Sequence, residues 1–497
     1  MSLPADLLVN ALLAAYACVL VVLAVFGLHR LYLVLLLVLR RRCTKTVVVS
    51  PTEWPTVTVQ LPIFNELYVV EQLIDAVGAL DYPADRLEIQ VLDDSTDRTA
   101  AAAATAVARL RARGIDAVHM HRKRRDGFKA GALRRGLRSA RGEFVAVFDA
   151  DFAPAPDFLR RVIPHFQSEG VGMVQARWSH RNREANLLTR LQAVLLDAHF
   201  TIEHTARQRA GRFFNFNGTA GVWRRQAIDD AGGWHHDTLT EDLDLSYRAQ
   251  LAGWQFIYLD DVQAPAELPL TISAFKAQQR RWTRGAAQTA RKLLPRIWRS
   301  ASPIAVKIEA SFHLLSNLAY GMMVGLAILV SPVLALRARG IGGALIWLEI
   351  PVLIFGTGSV CLYFVAGQRR LGRPLIGAVA QLPLLMALGA GLALNNTIAT
   401  VRGFAGATGE FVRTPKTSQV PAAMSGYRAG LGWVPWLEAT LALYFVGVLV
   451  VVVQRGLWSG LPVTLLFLAG YSYIAGQAFR EKLGSWRKEP VPALEGS

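Results

Sequence analysis

Two carboxylates one residue apart, Asp149 and Asp151, are the residues of this chain best placed to do chemistry. The apolar run 144–148 before them predicts a strand covered on both faces, and the prolines at 154 and 156 prevent its continuation. Open α/β sheets bind ligands at the carboxyl ends of their strands. Two hard oxygen ligands at such an end suit a divalent cation, Mg²⁺ or Mn²⁺, held against a diphosphate. An isolated Asp-x-Asp is also common turn chemistry, so the assignment depends on other motifs.

Three further polar motifs accompany this pair. Asp93 and Asp94 follow the predicted strand 87–92, and Thr240-Glu241-Asp242 opens a predicted helix. The last motif, Gln278-Gln279-Arg280-Arg281-Trp282, lies in a basic amphipathic stretch over residues 270–298 that suits a helix in the membrane interface. The plain alternative for Thr240-Glu241-Asp242 is an ordinary helix cap, and the plain alternative for residues 270–298 is a solvated surface helix. The order of all four motifs is far more specific than any one of them.

The elements that position these motifs belong to two kinds of structure. Residues 56–258 alternate short apolar strands, such as 57–61, 87–92 and 254–259, with helical stretches such as 100–113 and 186–208. This alternation predicts an α/β domain, a mostly parallel sheet with helices on both faces. The chain as a whole is too apolar for a purely soluble protein, since 52% of its 497 residues are hydrophobic, and membrane segments are therefore expected outside this domain.

Hydrophobic runs divide the chain into five parts. We predict an N-terminal transmembrane anchor at 1–42, a cytoplasmic α/β domain at 54–265, an interface helix at 266–300, a transmembrane region at 301–479 and a cytoplasmic tail at 480–497. Basic loops should be cytoplasmic, which leaves five crossings and keeps residues 374–400 from crossing. That segment carries Asn395 and Asn396 and suits a re-entrant or interfacial position. The protein is therefore expected to be a multi-pass protein of the plasma (inner) membrane.

The net charge of +17 lies mostly beside the hydrophobic runs. This placement favours cytoplasmic membrane flanks, anionic membrane lipid or phosphate as partners and argues against nucleic acid, for which no motif is present.

The four motifs in this order resemble the D, DxD, TED and QxxRW signature of membrane-embedded family 2 glycosyltransferases, which include cellulose, chitin and hyaluronan synthases. The segments 61–66, 93–97, 127–133, 148–152 and 216–224 are similar to those of cellulose-synthase-like mannan and glucan synthases. The resemblance implies a cytoplasmic GT-A domain, of the nucleotide-diphospho-sugar transferase type, inserted between transmembrane helices. The segment 411–416 resembles a mobile gating loop, which we place within 402–428.

Roles for single residues follow from this resemblance and from the chemistry of a diphosphate leaving group. Asp242 is the expected catalytic base, with Glu241 beside it. The expected acceptor-binding residues are Trp282, Asn217 and Gly218. The expected gating residues are Phe411, Thr414 and Lys416. The residues expected to bind the sugar nucleotide are Glu66, Asp93 and Asp94, which the resemblance assigns to its nucleoside and ribose, together with Lys129, Asp149, Gln278 and Arg281. The expected metal ligands are Asp149 and Asp151.

The implied function is that of a processive, inverting β-glycosyltransferase. It would extend a β-1,4-linked mannan or glucan and pass the polymer through its own membrane helices, with a periplasmic export partner as an option. The motifs leave the donor open between GDP-mannose and UDP-glucose. One alternative is a non-processive enzyme that adds one sugar to a lipid acceptor, a ceramide or diacylglycerol. Another is a non-catalytic channel or scaffold, against which the intact carboxylates argue.

Overall fold

A computed structural model describes residues 3–40, 51–406 and 432–486. Within them an α/β domain stands between one apolar helix before it and several after it, as the sequence predicted. The first helix, α1 (Leu3–Leu39), is apolar around its whole circumference.

A seven-stranded sheet forms the centre of the α/β domain. Its strands are β1 (Val57–Ile63), β2 (Leu87–Asp93), β3 (Ala117–His121), β4 (Phe144–Val147), β5 (Val171–His180), β6 (Gly221–Arg224) and β7 (Gln255–Ala266). The spatial order is β3-β2-β1-β4-β6-β5-β7. β1 runs parallel to β2 and β4, with Val57 opposite both Leu87 and Phe144. The sheet is mixed, because β6 is antiparallel to both of its neighbours.

Helices cover both faces of this sheet. They are α2 (Val70–Val77), α3 (Thr99–Ala112), α4 (Phe128–Ser139), α5 (Phe158–Val162), α6 (Leu187–Ala198), α7 (Thr205–Arg209), α8 (Arg225–Asp230) and α9 (Glu241–Leu251). A π-helical segment at His199–His204 joins α6 to α7, so the long helix predicted at 186–208 is present with one widened turn. One face buries β1 and β2 against α2 and α3, and the other buries β4 and β6 against α4 and α8.

The basic amphipathic stretch forms one long helix, α10 (Ile272–Arg299), which is followed by α11 (Ile304–Leu315). The remaining helices are α12 (Leu318–Arg337), α13 (Ile346–Val352), α14 (Gly358–Arg370), α15 (Leu375–Ala380), α16 (Leu382–Phe404), α17 (Val434–Gln454) and α18 (Leu461–Trp486).

Six helical segments of the described chain are long and apolar enough to span a membrane. They are Asp6–Leu39, Leu318–Arg337, Gly343–Arg370, Leu375–Phe404, Val434–Gln454 and Trp458–Leu483. The sequence predicted five spans, and the additional one, Leu375–Phe404, contains all but the first of residues 374–400. Pro383 stands in the first turn of α16, where its missing N–H costs nothing, and Asn395 and Asn396 are buried against protein. The segment therefore meets the length and composition for a span, and its exclusion from the membrane stays a prediction based on loop charge.

A buried network of charges joins α1 to the α/β domain. Arg30 of α1 pairs with Glu203 in the π-helical segment, and Arg207 lies between Glu203 and Glu309 at 3.0 Å from each. Glu309 also accepts a hydrogen bond from His29 Nε2 of α1 at 2.9 Å. Because buried charges are tolerated only when paired, this network fixes the domain on the first membrane helix.

Candidate active site

An open cleft of about 640 Å³ lies where the carboxyl end of β4 meets α9 and α10. Ten of the predicted site residues line it, contributed by five separate parts of the chain. They are Lys129, Asp149, Asp151, Asn217, Gly218, Glu241, Asp242, Gln278, Arg281 and Trp282. The motifs scattered over more than 150 positions of sequence therefore meet in one place.

Lys129 stands at the centre of the cleft wall. Its Nζ donates to Asp149 Oδ1 at 2.6 Å and to the Gly218 carbonyl at 2.9 Å, and lies 3.8 Å from Glu241 Oε1. It enters from the first turn of α4, which begins with Phe128 at φ +50° directly after Gly127 at φ +71°, both in the left-handed region. Burial opposes its charge, but the Asp149 and Glu241 carboxylates more than compensate and raise the pKa of Lys129. The side chain is a fixed cation among carboxylates.

The two carboxylates of the Asp-x-Asp motif differ in exposure. The Asp149 side chain is 31% exposed, while Asp151 is buried. The Asp149 backbone N–H donates to Thr219 Oγ1 at 2.9 Å, which holds the end of β4 against the Gly218 loop. Among the residues described, no third His, Cys, Asp or Glu joins this pair in a compact ligand cluster. The donor set fits a hard cation that completes its coordination with diphosphate oxygens, the usual arrangement for Mg²⁺.

Asp242 occupies the first turn of α9, where its Oδ1 accepts the Leu243 backbone N–H at 2.8 Å. Burial and the neighbouring Glu241 charge raise the pKa of Asp242 to about 7, against the opposing charges of Lys129 and Arg281. A carboxyl with such a pKa can exchange a proton with a hydroxyl group near neutral pH. Gly218 adopts φ +81°, and a Cβ there would lie 2.8 Å from Asp242 Oδ2, so the loop and the carboxylate are in close contact.

Helix α10 brings Gln278, Arg281 and Trp282 to the opposite wall. Its N-terminus is capped by Thr271, whose Oγ1 accepts the Ala274 N–H at 3.3 Å. The helix approaches α9 at Gly285, where a Cβ would lie 2.5 Å from Thr240 Cγ2. A glycine at this position lets the QxxRW motif come close to the TED motif.

The three residues predicted to contact the nucleoside are not among those that line the cleft. They lie next to it, at the carboxyl ends of β1 and β2. Asp94 accepts two hydrogen bonds from Arg122, at 2.6 and 2.5 Å. Asp93 is fully buried, and hydrogen bonds from His119 and Ser95 outweigh the burial and lower its pKa. The nucleoside role of Asp93, Asp94 and Glu66 stays a prediction.

Sequence reasoning missed several residues of this region. Trp178 and His180 line the cleft, because β5 extends through His180. Burial lowers the pKa of His180 to about 4, so its ring is neutral. His204 and His199 hold the Asn217 side-chain amide, at 2.6 and 3.1 Å. The alternation of apolar and polar residues towards the end of 171–180 was the available signal for Trp178 and His180. His199 and His204 lie on a helix, and no such alternation marks them.

The gating residues Phe411, Thr414 and Lys416 lie outside the described residues, and their role stays a prediction.

The fold and the cleft together define a GT-A-type domain set between apolar helices. Residues 55–285 match the family model described as glycosyltransferase like family 2, and this domain belongs to that family. A glucomannan 4-beta-mannosyltransferase of Oryza sativa subsp. japonica is 41% identical over 332 residues, 63% of this chain and 63% of its own length. One from Arabidopsis thaliana is 47% identical over 254 residues, 50% of this chain and 48% of its own length. The chain thus spans about half to two thirds of these curated relatives.

Among solved structures, the mannosyltransferase PcManGT of Pyrobaculum calidifontis, in complex with GDP-Man and Mn²⁺, is similar in fold. The TM-score is 0.52 at 24% identity, and the match covers 71% of this chain and 98% of that chain. At this identity the likeness concerns the fold alone.

Proposed function

We propose that this protein is an inverting β-glycosyltransferase that transfers mannose from GDP-mannose to a growing β-1,4-linked mannan. The observation that carries the proposal is the meeting of Asp242, Lys129, Asp149, Arg281 and Trp282 in one cleft. The choice of mannose rests on the two relatives named as glucomannan 4-beta-mannosyltransferases. UDP-glucose is the donor to be compared, since diphosphate contacts do not depend on the sugar.

In the proposed reaction, the acceptor hydroxyl oxygen attacks C1 of the donor sugar from the face opposite the nucleotide. The new C1–O bond forms as the bond from C1 to the diphosphate oxygen breaks, and the hydroxyl proton passes to the Asp242 carboxylate. Lys129 and Arg281 are cations fixed beside the cleft, and they stabilise the negative charge that develops on the leaving diphosphate. The configuration at C1 inverts, so an α-linked donor yields a β-linkage.

Asp149 and Asp151 are the proposed ligands of Mg²⁺ or Mn²⁺. A bound cation would supply further charge neutralisation for the diphosphate. The contact of Lys129 with Asp149 Oδ1 places the ammonium group on the same carboxylate. Lys129 and a cation held by Asp149 and Asp151 would therefore both supply positive charge beside the leaving diphosphate.

The acceptor side of the cleft is proposed to include Trp282, Asn217 and Gly218. The indole of Trp282 offers a flat apolar face suited to a sugar ring. Polymer extension, rather than a single transfer to a lipid, and passage of the product through the membrane helices are part of the proposal. So are the cytoplasmic position of the domain, its plasma membrane location and a separate export partner. The six candidate spans support a membrane setting.

The test is sugar incorporation by purified protein in lipid nanodiscs with Mg²⁺ or Mn²⁺. Labelled GDP-mannose and UDP-glucose are offered separately, and the products are digested with β-mannanase and β-glucanase. The proposal expects a long product from GDP-mannose that only the mannanase cuts. A chloroform-soluble product resistant to both enzymes would instead identify a glycolipid synthase. Asp242→Asn should bind donor without transferring sugar, whereas a non-catalytic scaffold would bind no donor in either form.

A further inference from the structure

One buried ion pair connects the QxxRW helix to a membrane helix far along the chain. Lys276 of α10 donates to both carboxylate oxygens of Glu438 in α17, at 2.6 Å each. The two side chains are 6% and 0% exposed. Such a pair persists only when its geometry is good, because each charge alone would carry the full cost of burial.

Two further contacts anchor the same helix. Arg280 donates to Asn395 Oδ1 of α16 at 3.0 and 3.3 Å, and the Asn395 amide donates to the Lys276 carbonyl at 3.3 Å. Glu481 of α18 accepts the backbone N–H groups of Ile272 and Ser273, at 2.7 and 3.1 Å. A carboxylate at a helix N-terminus also complements the helix dipole. Three membrane helices thus hold the first turns of α10.

The spacing along α10 separates these anchors from the site residues. At 100° per residue, Lys276 and Arg280 share one face, four positions apart. Gln278, Arg281 and Trp282 lie on the opposite face, the one that lines the cleft. The anchored face and the active face are therefore parts of one rigid element, and rotation of the helix about its axis moves both together.

We propose that Glu438 is a positioning residue: through Lys276 it fixes the rotation of α10 and so holds Arg281 and Trp282 in the cleft. The inference rests on the proposed function for its catalytic consequence. A side-chain tip lies about 6 Å from a helix axis, so a rotation of about 10° displaces it by about 1 Å. A misplacement of that size can lower a rate by about 100-fold.

The experiment compares Glu438→Gln, Lys276→Met and the double variant Lys276→Met/Glu438→Leu in nanodiscs. Glu349→Gln is the matched control, because Glu349 also forms a membrane-helix ion pair, with Arg337 at 2.6 Å, remote from α10. Three quantities are measured: kcat and KM for GDP-mannose, Tm, and hydrogen exchange of the α10 backbone. Exchange reports how readily the backbone of α10 opens, and it needs no sugar substrate.

The single variants should lower kcat by about 100-fold with donor KM changed less than about threefold, and should speed exchange in the first half of α10. The double variant leaves no unpaired buried charge, so it should recover Tm while kcat stays low and exchange stays fast. If the double variant recovered kcat and slow hydrogen exchange together with Tm, the inference would be overturned. An equal loss of kcat in Glu349→Gln would also overturn it. If wild-type protein incorporates no mannose, the proposed function fails. The exchange of α10 still decides this inference: faster exchange in the singles and the double supports it, and unchanged exchange refutes it.

Discussion

Substituting Gly218 by alanine gives a graded test of the position of the proposed base. The added Cβ would lie 2.8 Å from Asp242 Oδ2, whereas ordinary contact begins at 3.4 Å, so one group must move by about 0.6 Å, the difference between these distances. Gly218 also adopts φ +81°, which costs an L-residue about 1–2 kcal/mol. A displacement of this size at the reacting group should lower kcat by roughly 10- to 100-fold.

The control variant Gly211→Ala separates the steric clash with Asp242 from the strain of a positive φ. Gly211 also has a positive φ, +63°, but a Cβ there would meet nothing within 4 Å. Both variants should therefore lose similar stability in a thermal melt, while only Gly218→Ala should lose turnover in the incorporation assay. Donor KM should change less than kcat, because the added Cβ would clash with Asp242 at 2.8 Å, whereas Lys129 Nζ, at 3.4 Å, stays at ordinary contact distance.

Two results would refute this reasoning. Wild-type kcat in Gly218→Ala would mean that the Asp242 carboxylate position does not limit transfer. An equal loss of kcat in Gly211→Ala would mean that backbone strain alone explains the effect.

Three further predictions follow from charges in the structure. A plot of log kcat/KM against pH should rise with a slope of one up to about pH 7, because Asp242 accepts a proton only when ionised. Glu241→Gln should move this rise to lower pH, because it removes a charge that raises the pKa of Asp242. A rise at unchanged pH in that variant would contradict the assignment of Asp242 as the base. Asp149→Asn should abolish activation by Mg²⁺ or Mn²⁺ in a metal titration, and a full metal response in that variant would exclude Asp149 as a ligand. Glu203→Gln breaks the ion pairs with Arg30 and Arg207 and should lower the free energy of unfolding by about 3–5 kcal/mol. Asp261→Asn removes one partner of an exposed ion pair and should leave Tm unchanged.

The positions of the strands with continuous apolar runs could be predicted from the sequence. β1, β2 and β4 were predicted within two residues of their ends, and parallel strands place their carboxyl ends at one edge. The meeting of Asp149 with Asp242, which lies at the start of a helix, was implied by the resemblance of the ordered motifs to the glycosyltransferase signature. Strand β3 was missed because His119, Met120 and His121 are not strong strand formers. β6 was missed because its pairing with β4 and β5 joins residues distant in sequence.

The prediction that residues 374–400 do not cross the membrane rested in part on their polar residues, and it stays a prediction. Asn395 and Asn396 indicated a segment unsuited to lipid. In the structure the Asn395 amide donates to Asn396 Oδ1 at 2.9 Å, and Arg280 donates to Asn395. These groups face protein, so they carry no information about whether the helix crosses. The pairing of Lys276 with Glu438, 162 positions apart, was equally beyond a pattern of local periodicity.

Both walls of the cleft are attached to membrane helices by buried polar contacts. On one wall, the Asn217 amide is held by His199, which accepts it at 3.1 Å and lies 3.3 Å from Glu203, the partner of Arg30 in α1. On the other wall, α10 is held through Glu438. Buried ionic contacts have narrow geometric optima, so a shift of either membrane helix must alter the distance between the walls or break a pair. The two walls of the cleft are therefore held in a fixed relation to the candidate membrane helices that make these contacts.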